Sequence, residues 1–95
     1  MFALVVRFDV VPERVTEFDE LVRITLASIT ALEPGTLQYL PTRVDGDPSA
    51  RVFIEVYRDE EAFAAHEAQP HVQHFLRERE PMILALRVER LRDLG

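Results

Sequence analysis

The chain has 95 residues, 47% of them hydrophobic and 29% charged, which suffices for one core and is too short for two. Seventeen acidic against 11 basic residues give a formal net charge of −6, and every basic residue is arginine. With no basic stretch, nucleic acid is disfavoured as a partner. The absence of cysteine excludes disulfides, thiolate metal sites and cysteine nucleophiles.

Residues 2–11 alternate with period two and predict a strand, with Phe2, Leu4, Val6, Phe8 and Val10 on one face. Residues 13–33 switch to helical spacing. Val15, Phe18, Leu21, Val22, Thr25, Ile29 and Leu32 form the apolar stripe, and Glu33-Pro34-Gly35 is the stop. Residues 36–44 and 51–58 predict two strands, joined as a hairpin by the turn cluster Asp45-Gly46-Asp47-Pro48-Ser49. Asp59 is the N-cap of a second helix, which Pro70 breaks before a further segment at 71–80. Residues 83–92 alternate again and predict the last strand.

The order β-α-β-β-α-β predicts an α+β, ferredoxin-like fold with an antiparallel sheet and both helices on one face. The other sheet face should then be polar if it meets water. Instead, Val52, Ile54 and Val56 oppose Phe53 and Tyr57 in the third strand, so both faces are apolar. A second copy of the sheet is the simplest cover, which predicts a two-fold homodimer. No run approaches the roughly 18 apolar residues of a membrane span. The short apolar N-terminus is interrupted by Arg7 and Asp9 and does not read as a signal segment, so a cytoplasmic setting is expected.

Glu33-Pro34-Gly35, Tyr39, the run Glu55-Val56-Tyr57-Arg58-Asp59-Glu60-Glu61-Ala62, and Ala65-His66 followed by Pro70-His71 stand in an order that resembles the antibiotic biosynthesis monooxygenase family. The resemblance spans residue 3 to about 92 and makes the chain 1–95 a single domain of that kind. It implies a dimeric α/β barrel, a pocket between sheet and helices, and no cofactor. Some members of that family oxygenate hydroquinones or anthrone-like polyketides without metal or flavin. Others degrade haem, and one branch isomerises a phosphorylated quorum-signal breakdown product. The haem-degrading pattern asks for Asn, Trp and His where this chain has Val6, His66 and Leu76, so haem degradation is rejected.

The chemistry is expected around the histidines. Neutral imidazole moves protons near pH 7, and oxygenation without a cofactor needs a base that makes an electron-rich substrate anion able to reduce O₂. His66 and His71 are the candidate bases, with Glu55 as the carboxylate that orients the imidazole. Tyr39, Tyr57, Phe63, His74 and Phe75 are expected to bind the substrate. A metal held by the three histidines with Glu55 or Glu67 is a rival reading, but their spacing matches no standard metal motif. The expectation is a homodimeric oxygenase of a small aromatic substrate, using O₂ and no metal. The alternatives are the isomerase, which arginines aimed into the pocket would favour, and a non-catalytic binding domain, whose pocket would be closed or apolar near the histidines.

Overall fold

The structure, a computed structural model, describes residues 1–95. Strand β1 (Phe2–Val10) is followed by a 3-10 turn at Pro12–Arg14 and helix α1 (Val15–Leu32). Strands β2 (Thr36–Val44) and β3 (Asp47–Tyr57) follow, then helices α2 (Glu60–Ala68) and α3 (Pro70–Arg79). A second 3-10 turn, Glu80–Met82, leads into β4 (Ile83–Arg92). The sheet order is β2-β3-β1-β4 and every neighbouring pair is antiparallel. This is the expected α+β, ferredoxin-like arrangement.

The helix-facing side of the sheet is the core. Phe2, Leu4, Val6 and Phe8 on β1 pair across to Tyr57, Glu55, Phe53 and Arg51 on β3. Helix α1 buries Phe18, Leu21 and Val22 against them, and α3 contributes Phe75. Phe8, Phe18, Phe53 and Phe75 form a cluster of tilted and stacked rings with centroids 4.6–6.3 Å apart. Arg51 is buried and donates twice to Asp19, at 2.9 Å each, which pins α1 onto β3. A planar guanidinium fits a carboxylate in this two-point way. Asp19 is held below the usual carboxylate range chiefly by that hydrogen bond.

The hairpin differs from expectation. The turn is only Asp45-Gly46, and Asp47-Pro48-Ser49 already belongs to β3. Gly46 has φ of +79°, which glycine adopts without steric cost and which permits so short a turn. Pro48 is tolerated because β3 pairs with β1 only from Ala50 onward, so the strand start has a single neighbour. The helix break is as expected. Asp59 caps α2 by accepting from the Ala62 N–H at 2.8 Å, and extended Gln69 separates α2 from α3.

The sheet face turned away from the helices carries Val5, Val52, Ile54, Val56, Leu40 and Leu91. Ile54 is 39% and Leu40 43% exposed. A continuous apolar surface of this kind marks an interaction face. No helix is long and apolar enough to cross a membrane.

Candidate functional site

Helix α1 ends at Glu33, whose backbone N–H donates to Ile29 O at 3.0 Å. Its side chain turns inward and is only 4% exposed. Buried carboxylates require donors, and Glu33 has three. His66 Nδ1 donates to Oε1 at 2.6 Å, Thr36 Oγ1 donates to the same oxygen at 2.7 Å, and His71 Nε2 donates to Oε2 at 2.5 Å. One carboxylate therefore holds two imidazoles, brought from α2 and α3.

These bonds fix which ring nitrogens remain free. Every sealed polar side-chain atom has a partner. His66 Nε2 makes no hydrogen bond, so it borders open space. The His66 ring sits among Tyr57, Tyr39 and Phe63, with centroids 5.1, 5.6 and 6.3 Å away. It lines a cavity of about 130 Å³ between the sheet and the helices. Leu4, Val6, Tyr39 and Glu55 form the cavity floor, α2 and α3 supply Phe63, Val72, Phe75 and Leu76, and β4 adds Leu86, Val88 and Arg90.

Glu55 is the second buried carboxyl, 5% exposed. Tyr57 Oη donates to its Oε1 at 2.5 Å. Its other oxygen has no partner and borders the cavity. Burial pushes Glu55 up to about 7, against smaller opposing effects of the Tyr57 hydrogen bond and the Arg79 charge. At neutral pH it can thus either donate or accept a proton. Tyr57 is raised by burial first and then by the Glu55 charge. Tyr39 is likewise raised, by burial and then Glu55. Both phenols stay protonated, and Tyr57 donates to Glu55.

Two arginines complete the cavity wall. Arg79 lies over the rings of Phe8 and Phe75, 5.2 and 5.4 Å from their centroids. Arg90 lies 5.8 Å from those of Phe2 and Phe63. Neither guanidinium has an ion pair. Burial lowers Arg79 from the ordinary arginine value.

The expected site residues divide accordingly. His66, Glu55, Tyr39, Phe63 and Phe75 meet at one cavity. The role given to Glu55 as orienter of the imidazoles is corrected. Both rings bond Glu33, while Glu55 faces Tyr57. His71 does not line the cavity and is linked to it only through Glu33 and then His66. Tyr57 stands behind Glu55, 0% exposed, with its hydroxyl engaged there, and does not line the cavity. His74 lies on the exposed side of α3, away from the cavity. No cluster of three or more histidine, aspartate or glutamate side chains is arranged to hold a metal. Val6, His66 and Leu76, the positions that depart from the haem-degrading pattern, all line this cavity.

Sequence reasoning missed Glu33, Arg79 and Arg90. A signal existed for Glu33. A carboxylate at a helix C-terminus faces the negative end of the dipole, so its presence there asks for a reason other than capping. Arg79 follows Phe75 by four positions, the spacing that stacks side chains on one helix face.

The family model described as antibiotic biosynthesis monooxygenase matches residues 1–78. No curated protein matches the chain. Among solved structures, a protein from Bacteroides thetaiotaomicron VPI-5482 is 24% identical with a TM-score of 0.92, over 99% of this chain and 90% of that one. One from Caulobacter crescentus CB15 is 23% identical with a TM-score of 0.92, over the same shares. One from Nitrosomonas europaea is 22% identical with a TM-score of 0.89, over 100% of both chains. All three are described as candidate antibiotic biosynthesis monooxygenases. At these identities the likeness is one of fold.

Proposed function

The chain belongs to the antibiotic biosynthesis monooxygenase family, and on that premise we propose that its cavity oxygenates a small aromatic substrate with O₂ and without a cofactor. The carrying observation is His66, tied at Nδ1 by Glu33 and free at Nε2, in an aromatic-walled cavity that it shares with Glu55. His66 Nε2 takes a proton from the acidic ring substrate. The Glu33 carboxylate balances the imidazolium that forms, as orienting carboxylates do in other acid–base sites. The substrate anion gives one electron to O₂, and the resulting radical and superoxide combine to form a C–O bond. The imidazolium returns its proton to the peroxide, and the hydrogen still on that carbon then leaves as a proton to His66 as the O–O bond breaks, which leaves a ring carbonyl and releases the second oxygen as water. Glu55, poised near neutrality, supplies a proton to that leaving oxygen. Tyr39 lends a hydroxyl to orient the ring.

Oxygen uptake with a panel of hydroquinones and anthrones tests this reading. A positioned base contributes about 10²–10⁴ in rate, so His66→Ala should lose activity on that scale. Uptake unchanged in His66→Ala removes the histidine from the mechanism.

A second reading, isomerisation of a small phosphorylated substrate, draws support from Arg79 and Arg90, the cations that a phosphate needs. The polar groups around the cavity speak against a purely passive domain. The exposed apolar sheet face supports a homodimer packed sheet to sheet, which light scattering should report as twice the chain mass at micromolar concentration. A cytoplasmic setting belongs to the same reading and accords with a chain free of cysteine.

A further inference from the structure

We propose that the substrate enters carrying a permanent oxyanion, a carboxylate or a phosphate, which seats against Arg79 at the cavity wall, with Arg90 adding a second, more distant positive charge. The inference rests on the reading of this cavity as the substrate pocket.

Seven of the eleven arginines form an ion pair with a carboxylate, and Arg51 shows how completely this chain can satisfy a guanidinium. Arg79 is different. It is half-buried, stacked on two core rings, and makes no hydrogen bond or ion pair. Its nitrogens are not sealed, so they open onto the cavity and its rim. Arg90 approaches from β4, also unpaired, over Phe2 and Phe63. Aromatic faces hold both planes in place, which leaves their N–H edges available.

An unpaired guanidinium in the wall restricts what can fill the cavity. Burying an unpaired charge is costly. A neutral ring entering the cavity would strip more water from Arg79 and give nothing in return. A ring bearing an anion would supply the missing partner, with two-point N–H···O bonding. A phenolate formed during the reaction does not meet this need, because it is absent when the substrate binds. Glu55 and Glu67 also line the cavity. The arriving anion disfavours ionised Glu55, which keeps that carboxyl in its proton-donating form.

Calorimetry on the full chain, with hydroquinone, 2,5-dihydroxybenzoate and phenyl phosphate as probes, tests the inference. At least one anion should bind about tenfold or more tightly than hydroquinone, and the tighter of the two names the source of the oxyanion. Arg79→Gln should reduce that preference to about threefold or less. Arg90→Gln, at the exposed rim, should weaken the anion about threefold and hydroquinone by less, which keeps the test decisive if Arg79→Gln does not fold. Hydroquinone binding as tightly as both anions overturns the inference. So does a preference that survives both substitutions. Anion preference without oxygen uptake retains this inference and removes the oxygenase reading, whereas efficient uptake with equal binding of neutral and anionic rings does the reverse.

Discussion

Replacing Glu33 by glutamine keeps the side chain's shape and removes its charge. The carboxylate accepts from His66, His71 and Thr36, but an amide has one acceptor oxygen. It can serve His66 with Thr36, or His71, and must present N–H₂ to the other side. Hydrogen bonds to charged groups contribute about 1.5–3 kcal/mol each. One such bond is lost and another becomes neutral, while the cost of burying a charge is relieved. The balance is a destabilisation of about 2–3 kcal/mol. For a chain of this length each kcal/mol corresponds to roughly 4–8 °C, so the melting temperature should fall by roughly 10–20 °C. Thermal unfolding by circular dichroism reads this directly. Oxygen uptake on folded protein below the transition should fall about tenfold or more, because the imidazole is no longer held in one tautomer. A melting temperature within about 2 °C of the parent's, with unchanged kcat, refutes the view that Glu33 holds the site.

Glu55 gives a pH prediction. Its folded value, about 7, lies above the ordinary 4.5, so the native state binds more protons than the unfolded one between those values. Stability should therefore fall as pH rises through that window, by up to about 3 kcal/mol. Glu55→Gln should be more stable than the parent at pH 8, and denaturant titrations should show the gain vanish near pH 4.5; a gain independent of pH contradicts the assignment. Gly35→Ala would place a Cβ 2.7 Å from Ala62 Cβ, so a loss of about 1–3 kcal/mol is expected, with Ala62→Gly restoring part of it in the double variant by the same measurement. His74→Ala should change stability by less than about 0.5 kcal/mol and leave oxygen uptake intact; loss of activity would return His74 to the site.

Much of the fold was legible because its periods are clean. Val6 and Phe8 against Val5 and Arg7 announce a two-faced strand, and Asp59 and Pro70 mark helix boundaries by local chemistry. The hairpin was misjudged because Asp47-Pro48-Ser49 has turn composition, yet cross-strand pairing with β2 draws it into the sheet. At the site, aromatic and histidine residues were found by type. Their partners were not, because partnership depends on contacts between distant segments. Glu55 and Tyr57 are two apart on one strand and therefore share a face, so their pairing was within reach of sequence reasoning. Glu33 lies 33 residues from His66, inside a motif whose proline and glycine already explained it as a helix stop.

The interruption at Gln69 has a consequence for how one carboxylate meets two rings. Residues five apart on a continuous helix point about 140° away from each other. On such a helix His66 and His71 would face different neighbours. The extended Gln69 resets the axis before Pro70 starts the next helix, and the two imidazoles then converge on opposite oxygens of Glu33. The proline that cuts the helix is thus what encodes the convergence. A substitution that lets α2 run on into α3 would separate the rings without touching either histidine.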